Sequence, residues 1–374
     1  MTASVAPTFA IVTGGGTAGH VLPALAIADA LVEAGHPRAS VHYVGSERGI
    51  EARLVPPTGY PMTLLPGRGI QRRLTLQNVA AVAGLLVAAM RAVGLVRSLR
   101  PSVVVAVGGY ASVAVGLAAV LWRVPLVVAE QNRAPGLANR LLARFAKVSA
   151  VSFPGTPLPR AVVTGNPIRA EISALDPARD KAAAKRSFGV DERRRLLLVV
   201  GGSLGAWKIN QAVVAALPLW TDRDDLAVHH VVGRRDWAAI SAGQASVTTG
   251  ALERRAVEYE DDMPGALAAA DLVVCRAGSS TCFELAAASL PAILVPSPSV
   301  TADQQTGNAQ HLVSAGAAVL VRDAELDGAR LAAEVEALLA DPDRMAAMGE
   351  AARRWARPDA AADIAALARV HARG

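Results

Sequence analysis

Residues 196–206 read LLLVVGGSLGA, an apolar run that leads into a glycine-rich turn and then into the helical stretch Trp207–Leu217. The same order occurs near the amino terminus, where Phe9–Val12 leads into residues 14–20, GGGTAGH. A strand–turn–helix unit of this kind presents backbone N–H groups at a helix amino terminus, where they can bind phosphate. Two such units, about 190 residues apart, predict two nucleotide-type domains that face one cleft.

The length and patterning of the chain favour two domains of one class. At 374 residues the chain is too long for a single hydrophobic core of ordinary size, and its strand-like runs alternate with helical ones. We therefore predict an α/β fold with two Rossmann-like, doubly wound parallel-sheet domains. The first spans residues 1–170, the second spans residues 171–355, and a helix in residues 356–374 crosses back to the first. The charged stretch Asp176–Arg195 is the predicted linker.

The composition limits the classes of partner. A formal net charge of +6 favours anionic partners such as phosphates or an acidic membrane surface. We expect no nucleic acid, because basic residues do not alternate with aromatic ones and no nucleic-acid motif occurs. Cys275 and Cys282 lack a CxxC or Cys/His partner, which indicates buried free thiols. We expect no signal peptide, because residues 1–9 lack a basic segment before an apolar stretch.

The first half contains a further glycine turn, at Gly108-Gly109. It lies inside the uncharged stretch of residues 102–122, which a hydropathy window would select as a membrane span. The β-branched run Val103–Val107, the break at Gly108-Gly109 and the helical spacing after Tyr110 instead predict a buried strand, a turn and a packed helix. The turn offers backbone donors to a phosphate. A tight turn with a half-buried tyrosine is the structural alternative.

The first glycine turn matches G-x-G-x-x-G at residues 14–19 and is followed by His20. This pattern alone suits a nicotinamide dinucleotide, with Glu47 after the second predicted strand as the candidate carboxylate. His20 opens a helix, whose amino terminus lowers an imidazole pKa and suits a general base near neutral pH. A histidine that only hydrogen-bonds the turn is the structural alternative.

Polar residues also follow later predicted strands of the first half, where open α/β sheets bind ligands. Glu130-Gln131-Asn132 follows the apolar run Leu126–Ala129, and Asn132 is a candidate for a sugar hydroxyl. Arg169 ends the stretch GNPIR at residues 165–169 and could reach a phosphate. A hinge turn with an exposed arginine is the alternative for that stretch.

The second half carries two further candidate segments. Residues 276–284, RAGSSTCFE, join a strand to a helix. The spacing Thr281-x-x-Glu284 fits a capping box, which alone explains both residues, but Glu284 could instead accept both hydroxyls of a ribose. After the strand Ala292–Val295, the adjacent amides of Gln304 and Gln305 offer paired donors and acceptors for vicinal sugar hydroxyls.

Together these motifs resemble the GT-B glycosyltransferases, and within them the MurG family. That family adds N-acetylglucosamine (GlcNAc) to undecaprenyl-pyrophosphoryl-MurNAc-pentapeptide in peptidoglycan synthesis, on which cell shape and cell division depend. Val113-Ala114 stands here where the family usually has Gly-Pro. The matching stretches, in the family's order, are residues 15–20 (GGTAGH), 108–110 (GGY), 130–132 (EQN), 165–169 (GNPIR), 201–206 (GGSLGA), 259–263 (YEDDM), 275–278 (CRAG) with Glu284, and 303–305 (DQQ) with Asn308.

The resemblance implies UDP-GlcNAc as the donor, bound largely by the second domain, and no cofactor. It implies that Glu284 binds the ribose, that the Ser203 turn meets the diphosphate and that Glu260 lies by the uracil. It also implies that Gln304 and Gln305 bind the sugar. The other implied donor-site residues are Thr17, Ala18, Gly19, Asn132, Arg169, Ser279, Ser280 and Thr281.

The implied acceptor is undecaprenyl-pyrophosphoryl-MurNAc-pentapeptide, which docks on the first domain with its pyrophosphate near the glycine turns. The MurNAc 4-hydroxyl attacks the α-linked sugar with inversion to form a β-1,4 bond, and His20 is the candidate base. We find no Asp-x-Asp pair placed to present a divalent cation. The expected site is therefore metal-free, with helix amino termini at Ser203 and Ser279 and with Arg169 stabilising UDP. The implied acceptor contacts are Gly15, Gly16, Gly108, Gly109 and Tyr110.

A lipid acceptor without a predicted transmembrane helix implies peripheral attachment to the cytoplasmic face of the cell membrane. The segment Ile70–Leu74 leads into the helix Thr75–Leu99, which has a basic-rimmed apolar face suited to anionic lipid. An ordinary core helix with solvated arginines explains most of the same pattern. The apolar residues are Leu85, Leu86, Val87 and Met90, and the basic ones are Arg91, Arg97 and Arg100.

Other functions remain open from the sequence. A UDP-GlcNAc 2-epimerase or another GT-B UDP-sugar glycosyltransferase has the same two-domain architecture, and an epimerase consumes the donor without an acceptor. An NAD-dependent oxidoreductase follows from residues 14–19 alone and would bind nicotinamide cofactor. A non-catalytic membrane scaffold is disfavoured by the intact donor-site motifs.

Overall fold

The computed structural model describes residues 7–66, 76–202, 205–241, 251–300 and 303–373, without the side chains of residues 76–83, 85 and 178. The chain divides into two compact units. The first unit comprises residues 1–169 and 357–374, and the second comprises residues 170–356.

The first unit is built on a sheet of seven described strands, and every pairing between neighbours is parallel. The strands are β1 (Ala10–Gly14), β2 (Val41–Ser46), β3 (Met62–Leu65), β4 (Val103–Gly108), β5 (Leu126–Glu130), β6 (Val148–Val151) and β7 (Ala161–Val163). Their order across the sheet is β3-β2-β1-β4-β5-β6-β7. The order reverses direction between β1 and β4, which is the topology of a doubly wound sheet.

The second unit has a sheet of six described strands, again all parallel. The strands are β8 (Arg195–Val200), β9 (Leu226–Val231), β10 (Glu253–Val257), β11 (Leu272–Cys275), β12 (Ala292–Leu294) and β13 (Ala318–Leu320). Their order is β10-β9-β8-β11-β12-β13, so this sheet also reverses direction beside its first strand. The predicted fold class, with two Rossmann-like parallel-sheet domains, is confirmed.

Helices connect most successive strands in both units, whereas β6 and β7 are joined by a loop. In the first unit they are α1 (Ala18–Glu33), α2 (Glu51–Leu54), α3 (Leu76–Leu99), α4 (Tyr110–Leu121) and α5 (Leu137–Leu142). In the second they are α6 (Ala170–Ser173), α7 (Pro177–Ser187), α8 (Trp207–Ala216), α9 (Trp237–Ser241), α10 (Met263–Ala269), α11 (Ser279–Ala287), α12 (Gln304–Ser314), α13 (Gly328–Leu339) and α14 (Pro342–Trp355). The last helix, α15 (Ala360–His371), belongs to the first unit.

Strand β4 illustrates why these runs are continuously apolar. Val103 and Val105 face a core that contains α1, whereas Val104 and Ala106 face a second core that contains α3 and α4. Successive strand residues point to opposite faces, and helices cover both faces, so every residue of the run is buried. Residues 102–122 thus form a strand, a turn and a helix, as predicted. No described helix is both long and apolar enough to cross a bilayer.

Helix α15 completes the core of the first unit. Its Ile364, Ala365 and Ala368 are buried in the same cluster as Val21 and Ala24 of α1. The apolar side chains of α15 recur at i, i+1 and i+4, which places them on one face of the helix.

The predicted linker Asp176–Arg195 is wrong. Residues 177–187 form α7, and the buried Lys185 lies 2.7 Å from the carboxylate of Asp271. Phe188 packs against the buried Val190 and Leu196 of the second unit. The charges that suggested a solvated linker therefore include an ion pair that fixes this segment to the start of β11.

Candidate functional site

The first glycine turn connects β1 to α1 and has internal partners for two of its N–H groups. Gly15 N–H donates to the Gly108 carbonyl at 3.2 Å, and Gly16 N–H donates to the Glu51 carboxylate at 3.1 Å. Gly16 has a φ of +92°, a backbone conformation that favours glycine. Thr17 is the N-cap residue, so Ala18, Gly19 and His20 form the first turn of α1.

His20 lies close to both glycine turns of the first unit. Its Nδ1 is 3.3 Å from Thr17 Oγ1, and a side chain on Gly108 would collide with its ring. Burial lowers the pKa of His20, whereas a hydrogen bond to the Gly15 backbone and the charge of Glu51 raise it. The sequence predicted a lowered pKa from the helix amino terminus. In the structure, the main cause is burial.

Glu51 contacts the first glycine turn, a contact that the sequence analysis missed. Its side chain is fully buried at the start of α2, and Oε1 accepts a hydrogen bond from Ser46 N–H at 2.6 Å. Any side chain on Gly15, Gly45 or Gly49 would collide with this carboxylate. The nearby glycines were the available signal, but they have no fixed spacing to Glu51 that would identify the contact.

The second glycine turn connects β4 to α4. Gly108 and Gly109 have φ values of +128° and +86°, and a side chain on Gly109 would collide with Gly15. Tyr110 begins α4, and its hydroxyl lies 2.8 Å from Ser46 Oγ and 2.9 Å from the Leu65 carbonyl oxygen. The two turns of the first unit are therefore in direct contact, with Tyr110 half-buried beside them.

The stretch Glu130-Gln131-Asn132 lies at the carboxyl end of β5, but only one of its side chains is substantially accessible. Glu130 is buried and accepts hydrogen bonds from Asn132 N–H, Gly136 N–H and Asn139 Nδ2 at 2.9–3.0 Å. Burial outweighs these bonds and raises the pKa of Glu130. Gln131 is also buried and donates to the Ala129 carbonyl. Three polar residues after a strand suggest three side chains directed at a ligand, but Glu130 and Gln131 are buried and shape the loop that presents Asn132.

Arg169 follows a buried turn. Gly165 has a φ of +89° and lies against Arg357 and Ala360, and Asn166 is fully buried. Arg169 itself is half-buried, so the alternative of an exposed hinge arginine is not what the structure shows.

In the second unit, the glycine turn after β8 is described at Gly201, Gly202, Gly205 and Ala206, whereas Ser203 lies outside the described residues. Gly202 and Gly205 have φ values of +79° and +98°, and Gly205 N–H donates to the Gly202 carbonyl at 3.0 Å. A side chain on Gly205 would collide with Asp236. The turn thus needs glycine for both its conformation and its packing.

A buried polar network supports this turn. Arg254 Nη2 lies 3.3 Å from His230 Nδ1, and His230 Nε2 lies 2.9 Å from Asn210 Oδ1. A guanidinium can only donate, so His230 accepts at Nδ1 and carries its proton on Nε2. The Asn210 amide then donates to Asp236 and to the Val232 carbonyl at 3.0 Å. Burial, together with the charge of Arg254, lowers the pKa of His230 to about 3.

Glu260 follows β10, and its carboxylate has two partners within the unit. Oε2 lies 2.9 Å from Nε2 of the buried His229, and Oε1 accepts from Asp262 N–H at 2.9 Å. Burial lowers the pKa of His229, and the Glu260 carboxylate opposes that shift. Because both carboxylate oxygens already have partners, residue 260 would contact a ligand more readily through its backbone than through its side chain.

The capping box, which was the structural alternative for Thr281 and Glu284, does not form. Helix α11 begins at Ser279 with Gly278 as its N-cap, so Thr281 and Glu284 both lie inside the helix. Ser279 is buried, and the side chains of Ser280, Thr281 and Glu284 are half-buried. Burial is the main reason that the pKa of the Cys275 thiol is raised, and the neighbouring Cys282 and then the Glu284 carboxylate raise it further, so Glu284 lies near the carboxyl end of β11.

The loop after β12 connects to the same edge of the sheet. Gln305 Oε1 accepts a hydrogen bond from Ser297 N–H at 2.7 Å, and Gln304 is the first residue of α12. The buried Asn308 donates to the Ala277 carbonyl at 3.3 Å, which joins α12 to the turn before α11. The structure therefore brings together the segments of Glu284 and Gln305 at the carboxyl ends of adjacent strands.

The acidic residues of the described chain form no metal site. No group of three or more histidine, cysteine or acidic side chains suited to a metal ion occurs in the part of the chain that the structure describes. Two Asp-x-Asp spacings occur, at residues 222–224 and 341–343. The first precedes β9, and in the second Asp341 caps α14. Neither follows the carboxyl end of a strand, where the site residues lie.

Comparison with known proteins identifies the class of this chain. The model of the glycosyltransferase family 28 N-terminal domain matches residues 10–151, and that of the family 28 C-terminal domain matches residues 196–364. The chain therefore belongs to glycosyltransferase family 28 and is an enzyme, a glycosyltransferase, built on two Rossmann-like domains.

Within this family the chain belongs to the MurG group. A UDP-N-acetylglucosamine–N-acetylmuramyl-(pentapeptide) pyrophosphoryl-undecaprenol N-acetylglucosamine transferase of Salinibacter ruber is 45% identical over 95% of this chain and 94% of its own length. The enzyme of that name from Nocardioides is 45% identical, over 91% of this chain and 92% of its own length. The crystal structure of Acinetobacter baumannii MurG superposes with a TM-score of 0.75 at 28% identity, covering 97% of this chain and all of that one.

A UDP-N-acetylglucosamine 2-epimerase has the same fold. Its crystal structure superposes with a TM-score of 0.62 at 16% identity, over 96% of this chain and 94% of that chain. At this identity the similarity concerns the fold alone.

Proposed function

We propose that this chain transfers GlcNAc from UDP-GlcNAc to the MurNAc 4-hydroxyl of undecaprenyl-pyrophosphoryl-MurNAc-pentapeptide, in peptidoglycan synthesis. The observation that carries the proposal is the joining of the Glu284 and Gln305 segments at one edge of the second sheet. The relatives that are 38–45% identical over most of the chain are named for this reaction. The cell-shape and cell-division roles expected from the sequence follow from this proposal.

In this proposal the donor binds largely to the second unit. Glu284 accepts the two ribose hydroxyls, because a half-buried carboxylate has two oxygens for a vicinal pair. The Gln305 oxygen is bonded to Ser297 N–H, so its amide NH₂ is the group directed at the sugar, beside Gln304. Residue 260 contacts the uracil through its backbone. The other proposed donor-site residues are Thr17, Ala18, Gly19, Asn132, Arg169, Ser203, Ser279, Ser280 and Thr281.

His20 is the proposed general base. The MurNAc 4-oxygen forms a bond to the anomeric carbon while the bond from that carbon to UDP breaks and UDP leaves with the electron pair. The hydroxyl proton passes to a nitrogen of His20 and later to solvent. Burial lowers the pKa of His20, so the imidazole is neutral at neutral pH and can accept this proton. Attack on the face opposite UDP gives inversion and a β-1,4 bond.

The acceptor is proposed to bind at the two contacting turns of the first unit. Gly15 and Gly16 use their N–H groups internally, so their contribution is close approach, which a side chain would block. Gly109 and Tyr110 lie at the amino terminus of α4, where the helix dipole favours the acceptor pyrophosphate, and Gly108 lines the same turn.

Negative charge develops on UDP as it leaves, and this charge must be stabilised. Other enzymes use a cation bound by a pair of acidic residues, and we propose a different source here. We propose that the amino termini of α8 and α11, at the Ser203 turn and at Ser279, supply it together with Arg169. The proposed reaction therefore needs no divalent cation and no cofactor.

We further propose peripheral attachment to anionic lipid at the cytoplasmic face of the membrane. Exposed apolar side chains occur on α3, α4 and α5, with Met90 at 67%, Leu121 at 62% and Leu137 at 74% of full exposure. Helix α4 packs against both α3 and α5, so these side chains belong to neighbouring helices. The predicted segment Ile70–Leu74 and the Leu85 side chain lie outside the described residues. The other exposed apolar side chains on or next to these helices are Leu86, Val87, Trp122, Leu141 and Phe145, and Arg91, Arg97 and Arg100 lie on or directly after α3.

The transfer is tested by incubating the protein with UDP-GlcNAc and undecaprenyl-pyrophosphoryl-MurNAc-pentapeptide. We expect UDP release that depends on the acceptor, together with a new lipid-linked disaccharide. A UDP-GlcNAc epimerase would consume the donor without acceptor, and that result would refute the proposal.

The lipid surface is tested by sedimentation with vesicles. Met90→Glu should reduce binding to anionic vesicles, whereas equal binding of wild type to zwitterionic vesicles would exclude a preference for anionic lipid.

A further inference from the structure

The loop that follows β10 is anchored through the side chain of Glu260. Its Oε2 lies 2.9 Å from Nε2 of His229 on β9, and its Oε1 accepts a hydrogen bond from Asp262 N–H at 2.9 Å. Asp262 is the N-cap residue of α10, where its Oδ1 accepts from Gly265 N–H at 2.9 Å. The Glu260 side chain therefore joins β9 to the first turn of α10, with both of its oxygens in use.

The backbone of Glu260 differs from that of the residues before it. Val232 N–H donates to the Val257 carbonyl at 2.9 Å, and Gly233 N–H donates to the Glu258 carbonyl at 3.0 Å. Neither the N–H nor the carbonyl of Glu260 forms a hydrogen bond with any residue that the structure describes. The anchored residue thus presents a main-chain donor and a main-chain acceptor that are available to a ligand.

His229 is the fixed end of the contact with Glu260. A carboxylate only accepts hydrogen bonds, so Nε2 of His229 carries the proton that it donates. Nδ1 is buried without a hydrogen-bond partner in the described part of the chain, and a proton there would bury an unpaired N–H. Burial also lowers the pKa of His229, which favours the neutral ring. The Phe188 ring packs against it at 75°, with the two centroids 5.3 Å apart, so packing and one directed hydrogen bond hold the imidazole in place.

Stability alone does not call for a histidine at residue 229. An apolar side chain on this face of β9, which it shares with Ala227, would pack against Phe188 without burying a ring nitrogen that lacks a partner. The histidine adds direction instead, because its bond to Glu260 fixes where residue 260 lies relative to β9. Such positional definition is what a buried polar pair can supply at the expense of stability.

We propose that the His229–Glu260 pair holds the main chain of residue 260 in the position from which it binds the uracil of the donor. His229 is then a positioning residue for donor specificity. This proposal rests on the proposed function for the identity of the ligand.

The chemistry of the base explains why position matters. The imide edge of uracil has carbonyl acceptors on both sides of an N–H donor, and a backbone N–H together with a backbone carbonyl complements it. Cytosine has an acceptor nitrogen and an amino group at the same edge. A main chain that is held in place therefore distinguishes the two bases, because the wrong base leaves polar groups unpaired.

The experiment measures UDP binding to His229→Leu and to wild type by isothermal titration calorimetry. Leucine fills the site but cannot donate to Glu260. We expect the Kd of UDP to rise about 5- to 30-fold, the equivalent of one or two hydrogen bonds of ordinary strength. The affinity for CDP, measured by competition with UDP, should change by less than about twofold. The KM for UDP-GlcNAc should rise while kcat changes less than about threefold, because the uracil is remote from the bond that breaks.

Two further variants are the controls. His229→Gln keeps an N–H donor near the position of Nε2 and should restore most of the UDP affinity. His42→Leu makes the same substitution at a partly buried histidine of β2, whose Nε2 lies 2.9 Å from Thr63 Oγ1, and it should bind UDP as wild type does. A UDP affinity of folded His229→Leu within about twofold of wild type would overturn the proposal. Equal losses of UDP and CDP affinity would also overturn it, because they would indicate general damage to the site.

The pair is also tested from its other end, which covers the case in which His229→Leu does not fold. Glu260→Ala leaves β9 intact and should weaken UDP binding at least as much, because it releases both His229 and Asp262 N–H. The double variant should bind UDP as Glu260→Ala does, since His229 then has nothing to hold. An unchanged affinity in Glu260→Ala, or losses that multiply in the double variant, would show that the two residues do not act as a unit.

UDP binding requires neither the acceptor nor turnover, so the two proposals can fail separately. Weaker UDP binding in His229→Leu, without GlcNAc transfer by wild type, would refute the proposed transfer alone. Transfer by wild type, together with an unchanged UDP affinity in His229→Leu, would refute the role of His229 alone.

Discussion

Replacing Glu284 with alanine tests the donor site at one defined contact. Glu284 lies half-buried in the second turn of α11, near Cys275 at the carboxyl end of β11. Hydrogen bonds to a charged group are worth about 1.5–3 kcal/mol, which corresponds to about 10- to 150-fold in affinity. We expect Glu284→Ala to weaken binding of UDP and of UDP-GlcNAc by this factor. Because Gly278 caps α11, the substitution removes no helix cap.

Isothermal titration calorimetry with UDP measures the loss directly, and thermal unfolding checks the fold. Glu284→Gln keeps the size of the side chain. Its affinity for UDP should lie between those of wild type and Glu284→Ala, since one oxygen still accepts a hydrogen bond. Glu336→Ala is the control, because Glu336 is an exposed carboxylate on α13 of the same unit. An affinity of Glu284→Ala within twofold of wild type, in a folded protein, would refute the assignment of Glu284 to the ribose.

Three further predictions concern chemistry and stability. His20→Ala should lower turnover about 10²–10⁴-fold and abolish the acidic limb of the pH–rate profile, with UDP-GlcNAc affinity nearly unchanged; a fall below about tenfold would assign the base elsewhere. Transfer should persist in excess EDTA, and a strict requirement for magnesium or manganese in the chemical step would contradict the proposed stabilisation of UDP. His230 has a pKa of about 3 in the folded chain and of about 6.5 in the unfolded chain. Between these two pH values the proton binds mainly to the unfolded state. Between pH 7 and pH 4.5 the free energy of unfolding, measured with urea, should fall by about 2.5 kcal/mol more in wild type than in His230→Gln. An equal fall in both proteins would contradict a buried neutral imidazole at residue 230.

The fold was predictable because its signals are local in sequence. Residues 195–207 contain β8, a turn that needs glycine at positive φ and the first residue of α8, all within one short window. The run Val103–Val107 is apolar on both faces because helices cover both, and this distinguishes it from half-exposed strands. Such patterns predict the elements, and their alternation predicts parallel sheets.

The parts of the candidate site that were missed depend on contacts between distant residues. Glu51 reaches Gly16 across 35 positions, and the Asn210 amide reaches Asp236 across 26. Nothing in the charged sequence around Glu51 distinguishes it from a solvated helix residue. The capping-box alternative at Thr281 fails for the opposite reason, because the local pattern is present but α11 starts two residues before Thr281, at Ser279.

The predicted linker failed because net charge does not reveal pairing. Lys181 and Lys185 lie one turn apart on α7, and both reach the buried Asp271, 86 or more positions away. Sequence periodicity in this segment is weak, since its contribution to the core comes mainly from Phe188 and Val190 at its end. A charged, alanine-rich stretch can therefore be an integral helix of a domain when its charges have a buried partner.

The return of α15 to the first unit has a consequence for how the protein is made. Ile364, Ala365 and Ala368 fill the same core as α1, yet residues 170–356 are synthesised between them. At translation rates of about 5–20 residues per second, that interval lasts roughly 10–40 s. During it, the nascent amino-terminal domain exposes the apolar surface that α15 later covers, while the second domain can fold on emerging from the ribosome. The domain translated first is thus the last to be finished, and its exposed core is the surface on which a chaperone would act.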